Sequence, residues 1–168
     1  MPSAAVADLE IHEETMDLVV ATHGRGIYKI NLRPIHAMVS KKLAWDKDHL
    51  FQIPEGQRPW FSSHSGEPIY HTLEKTSIPF WLNSAKSITL SLKDKDHVVV
   101  WKTTLNGQKG FNEYRWDLVM KREKSSLPYF VHYDTFLEAG NYQMVLTDGK
   151  TILEQPFVLS NGTSPQLR

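Results

Sequence analysis

Apolar and polar positions alternate over most of this chain, and the period is that of strands. In "DLEIHE" Leu9 and Ile11 fall on one face, with Glu10 and His12 on the other. "DLVVAT", Asp17 to Thr22, is a more continuous apolar run, as expected of a strand covered on both faces. "IYKINL" alternates again. The polar turn "EETMD" and the glycine turn "HGRG" join these runs, which predicts a small antiparallel meander over residues 1–34.

The pattern breaks over residues 35–70. "IHAMVSKKLA" suits a short helix, with Ile35, Met38, Val39 and Leu43 near one face. "HLFQI" suits a short strand. "PEGQRPWFSSHSGEP" reads as an irregular connector, so a boundary is expected near residue 71.

Strand signals return over residues 71–160. "IPFWLN" is followed by "SITLSLKD", where Ile88, Leu90 and Leu92 share a face. The charged turn "KDKDH" leads into "VVVWKTTL", which predicts a hairpin. After "NGQKG" comes "FNEYRWDLVM", read as one strand whose change of parity between Phe111 and Tyr114 allows a bulge. Lys121 to Ala139 reads as a long loop. "NYQMVLTD" and "TILEQPFVLS" form a hairpin across "DGK", and Pro156 places the last strand at an edge or a bulge. Residues 161–168 are a polar tail. The expected fold is all-β: an Ig-like or fibronectin-like β-sandwich preceded by a small meander.

Composition narrows the function. Lys+Arg and Asp+Glu are both 19, so no net charge draws the molecule to nucleic acid. The best basic run, "KREK" at 121–124, reads as a solvated loop. No apolar run approaches the ~20 residues of a membrane-spanning helix. With no cysteine there is no disulfide, thiolate metal site or cysteine nucleophile. No signal-peptide pattern opens the sequence.

The eight histidines, His12, His23, His36, His49, His64, His71, His97 and His132, show no paired-ligand spacing, so no metal or other cofactor is expected. His23 and Arg25 in "HGRG" read as a glycine turn; the stretch lacks the Lys and Ser/Thr of a phosphate loop. No G-x-S-x-G frames a serine such as Ser63 beside His64, and His132 with Asp134 implies no nucleophile. Catalytic residues are therefore not assigned. Trp81, Trp101 and Trp116 lie in predicted strands and are expected in the core. Trp60 and Phe61 are the candidate ligand-binding residues: exposed, they form a docking platform for sugar or protein; packed, they staple the connector to the sandwich, and packing is favoured. Asn161-Gly162-Thr163 matches a glycosylation sequon, read as chance.

"DLVVATHGRGIYKINLRPI", preceded by "VADLEIHE", resembles the last blade of bacterial sortilin-like, Asp-box-repeat β-propellers, whose members carry "DLVVGTHGRGIW". Asp17, Leu18, Val19, Val20, Thr22, His23, Gly24, Arg25, Gly26 and Ile27 match; Ala21 and Tyr28 depart. "DKDHLF" fits the segment that follows in that family. The second half is similar to the Ig-like domain found after such propellers and in flagellar hook-capping proteins, through Gly110, Asn112, Trp116 and Asp117, then Gly140, Tyr142, Val145 and Leu146. The Asp-box itself, S-x-D-x-G-x-x-W or T, is absent, and there are no internal repeats.

The resemblance implies a piece of a longer bacterial, exported protein, periplasmic or extracellular, with its propeller ring outside this chain. Its implied role is a non-catalytic module that caps or orients the propeller and binds protein or carbohydrate. The alternative is an accessory domain of a glycoside hydrolase whose active site lies in the propeller. Expected partners are the parent's propeller domain, a carbohydrate or protein ligand, and a second copy through exposed strand edges. The meander is expected to pair with "HLFQI", to dock on the sandwich, or to pair with another copy.

Overall fold

A computed structural model describes residues 3–61, 75–122 and 134–163. His64, His71 and His132, Ser63 and most of the expected 121–139 loop lie outside the described residues. The fold is all-β with one short helix, and among the described residues no helix is long and apolar enough to cross a membrane. The chain divides into two compact units, Met1–Asp46 and Lys47–Arg168.

The first unit is the expected meander. Strands β1 (Val6–His12), β2 (Asp17–Thr22) and β3 (Gly26–Asn31) pair antiparallel in that order. The turn at 23–25 needs Gly24 and Gly26, whose φ of 74° and 91° suit glycine. Opposed residues share a face, so Leu9, Val20 and Tyr28 form one apolar row and Ile11, Leu18 and Ile30 the next. Val20, on the central strand, is buried; Leu9, Ile11 and Ile30 are exposed.

On the other face Asp17 is buried and accepts bonds from Lys29 Nζ at 2.8 Å and Asn31 Nδ2 at 3.2 Å. The hydrogen bond from Lys29 is the main reason its carboxyl titrates below the usual range. Helix α1 (Arg33–Ser40) follows, with Pro34 in its first turn, where a missing N–H costs nothing. It closes in a Schellman motif: Leu43 N–H reaches Met38 O and Lys42 N–H reaches Val39 O, with Lys42 at φ 49°.

The second unit is a sandwich. Strands β4 (His49–Leu50), β6 (Thr76–Leu82) and β9 (Gly110–Trp116) form one sheet in the order β4-β6-β9. The larger sheet runs β5-β13-β12-β7-β8, from β5 (Gly56–Gln57), β13 (Ile152–Ser160), β12 (Gly140–Thr147), β7 (Lys86–Lys93) and β8 (Val99–Gly107). A short ribbon joins β10 (Val119–Arg122) to β11 (Asp134–Phe136). Ile78, Phe80, Leu82 and Trp116 of the small sheet share one core with Ile88, Leu90, Leu92, Met144, Leu146 and Phe157 of the large one. Burying such side chains is the main stabilising term.

Several expectations hold: the β7–β8 hairpin, the inward Ile88-Leu90-Leu92 row, and the β12–β13 hairpin. Pro156 marks an edge and not a bulge. Its register with Gln143 is unbroken, and β5 covers β13 only at Leu159 and Ser160.

Other expectations are corrected. "HLFQI" supplies β4, which pairs with β6 of the sandwich and not with the meander. β9 shows no bulge: the register with β6 is continuous from Leu82↔Gly110 to Thr76↔Trp116. Phe111 changes parity because it lies on the outer face, beside Phe51 and 47% exposed. The break comes instead at Leu118, buried with φ 63°. The expected 121–139 loop contributes β11 and the last two residues of β10, Lys121 and Arg122.

The described connector residues from Lys47 to Phe61 are part of the sandwich. Gly56 and Gln57 add a parallel strand to β13, and a Cβ on Gly56 would lie 2.8 Å from Phe157 Cζ. Compact unit Lys47–Arg168 therefore begins well before residue 71. At one end, Lys86 Nζ bridges Asp48 at 2.5 Å and Asp148 at 3.0 Å.

Tyr142 turns the corner into β12 by donating its hydroxyl to Glu138 O at 2.8 Å, the tyrosine corner of Ig-type sandwiches. Burial first, and Glu138 next, push its phenol pKa upward. Tyr142→Phe keeps the ring and loses the bond, so it should cost about 1 kcal/mol in urea unfolding, with m unchanged.

Candidate functional site

The "NGQKG" stretch, Asn106 to Gly110, reverses the chain between β8 and β9. Asn112 holds the reversal: its Oδ1 accepts from Gln108 N–H at 2.9 Å, and its Nδ2 donates to Gln108 O at 2.7 Å and Gly110 O at 2.9 Å. Gly110, at φ 101°, takes a conformation that side chains disfavour. A turn this tight usually makes a hairpin. Here the two strands separate. β8 becomes the edge of the large sheet and β9 the edge of the small one.

Among the described residues, that separation leaves one side of the sandwich open. Inward-facing Trp101 and Leu105 of β8, opposite Leu92 and Ile88 in the β7 register, stay half-buried. So does Tyr114 of β9, opposite Ile78. The Trp101 and Trp116 rings stack across the opening, 4.1 Å apart and 25° from parallel. Tyr114 lies 6.1 Å from Trp101. Trp116 is fully in the core and donates Nε1–H to Val119 O at 3.3 Å. Of the tryptophans expected in the core, Trp116 is buried, whereas Trp81 and Trp101 are half-buried.

Over this stack runs a groove of about 340 Å³, walled by Trp101, Lys102 and Thr103 on one side and by Tyr114 to Asp117 on the other, with Val119 and Met120 beside them. Lys102 and Arg115 are exposed. Arg115 Nε donates to Glu113 at 3.0 Å, and Glu113 also accepts from Ser77 Oγ at 2.6 Å. Asp117 accepts the Val119 N–H at 3.3 Å and so braces the break at Leu118. Gly110, Asn112, Trp116 and Asp117 thus all have turn or packing roles.

Trp60 and Phe61 do not line this groove. Phe61 packs edge-on against Phe136, centroids 6.1 Å apart, with the Arg58 guanidinium 4.9 Å above its ring. Arg58 also bonds both carboxylate oxygens of Glu138, at 2.9 and 3.3 Å. Trp60 is half-buried, and a Cβ on Gly162 would lie 2.7 Å from its backbone nitrogen. Phe61 is thus stapled to the sandwich, in line with the packing alternative.

Trp101 and Tyr114 carry no ligand signal of their own in the sequence. The signal lies in the turn: counting back from it places Trp101 across from Trp116, but not whether the strands bond or part. Among the described residues no three His, Asp or Glu side chains group to hold a metal ion. The chain matches no protein-family model and no curated protein.

Proposed function

We propose that the sandwich is a non-catalytic protein-binding module that takes an extended polypeptide into the open side between β8 and β9. One observation carries this reading: two neighbouring edge strands part at a tight turn and leave half-buried Trp101, Leu105 and Tyr114 between them. An added strand gains main-chain bonds from an edge and side-chain contacts from the pockets beside it. Sugar stacking is the weaker alternative, since Trp101 is half-buried and gives one of its two ring faces to Trp116.

In this reading the meander belongs to the closing blade of a propeller in an exported parent protein, which the sandwich orients. The run from Asp17 to Ile27, which matches the family pattern at ten positions, supports that assignment.

An array of extended peptides tests the module. Binders should slow hydrogen exchange of the β8 amides, and Trp101→Ala should abolish binding while the far-UV spectrum stays native. Glycan binding lost in Trp101→Ala, with no peptide bound, would overturn the reading in favour of a carbohydrate module.

A further inference from the structure

Building on the protein-binding reading above, we propose that β8 accepts the β1 strand of a second copy of this chain. β8 is nine residues long and bonds β7 on one side; its other side has no strand partner among the described residues. Edges of this length are normally blunted by proline, several charges or a bulge. β8 has no proline, and its register shift lies at its start, between Leu92 and Lys93. Its one charge is Lys102, which has no ion pair among the described residues.

β1 has complementary chemistry. All seven of its residues are exposed, and among the described residues it pairs only with β2. Leu9 and Ile11 are 57% and 53% exposed. Asp8 and Glu10 alternate with them, and neither has an ion pair among the described residues. Alternate residues of an added strand face opposite sides. Setting Leu9 and Ile11 on the core side puts Ile11 opposite Trp101 and Leu9 opposite Thr103, between Trp101 and Leu105. Asp8 and Glu10 then fall on the outer side, where Lys102 stands opposite Ser91. Apolar and charged positions are satisfied in the same register.

Light scattering behind size exclusion, from low to high micromolar chain, tests this. The mass should rise with concentration and fall with added salt. Lys102→Glu should weaken association roughly tenfold, the effect of turning one cross-strand attraction into a repulsion. Adding Asp8→Lys and Glu10→Lys to that variant should restore it. All three side chains are exposed, so near-UV spectra should stay native.

A monomer at every concentration would overturn the proposal, as would association that ignores both charge reversals. If the chain stays monomeric while an arrayed peptide still protects β8, the second copy is excluded and the module reading stands. If neither binds, both fall.

Discussion

Replacing Trp116 with alanine is expected to cost about 4 kcal/mol, the upper range for deleting a buried aromatic. The ring is 2% exposed, stacks on Trp101, and lies 6.5 Å from Phe157 of the opposite sheet. Its removal opens a cavity where the two sheets meet beside the open side. It also removes the indole N–H that Val119 O accepts. Against a typical stability of about 5–15 kcal/mol, such a loss leaves a large unfolded fraction at moderate urea. Trp101→Ala removes the half-exposed partner and should cost about 1 kcal/mol, mostly the stacking term. Equal losses in the two variants would refute the division into a core ring and a groove ring.

Lys86→Met should lower stability by about 2 kcal/mol near neutral pH, less than for a fully buried pair because Lys86 is 22% exposed. The variant leaves the Asp48 carboxylate, 5% exposed, with the Asn83 N–H at 2.9 Å and no cation.

The pH profile carries more information. The hydrogen bond to Asp48 raises the Lys86 pKa above its ordinary 10.5. Its contribution is therefore complete below that value and lost as pH rises through the folded one. Backbone N–H groups of Thr151 and Lys150, then Lys86, lower the pKa of Asp148. That contribution is present above the ordinary carboxylate pKa and lost as pH falls through the folded one. Stability of the sandwich, read by urea unfolding at a series of pH values, should be flat between about pH 5 and 9. Lys86→Met should lower the plateau and remove the Lys86-dependent alkaline loss. An unchanged alkaline limb would show that the bridge is absent in solution.

What could be read from the sequence follows from which forces are local. Ile88, Leu90 and Leu92 alternate because one face of β7 meets the core, and that period survives without neighbours. Asp148 and Gly149 announce their turn through backbone preference, and Pro156 announces an edge through its missing donor. The change of parity at Phe111 suggests a bulge, but the outer face of the small sheet carries its ring in an unbroken register. β4 is legible as "HLFQI" but its pairing with β6 is not, and β5, two residues long, is too short to show a period. The Lys86 bridge joins Asp48 and Asp148 across 38 and 62 positions, and nothing near any of the three residues records it. The groove was illegible for a related reason. Residue order reveals the turn at Gln108, but whether β8 and β9 bond depends on which sheet claims each strand.

The attachment of Gly56 to the far strand has a kinetic consequence. Ser160 Oγ donates to Gly56 O across 104 positions. At about 5–20 residues per second, a ribosome exposes the glycine roughly 5–20 s before its partner. During that interval the nascent Phe51 to Gln57 stretch has no β13 to rest on. A chaperone that holds extended apolar segments would find its substrate there, and should let go once the later strand arrives.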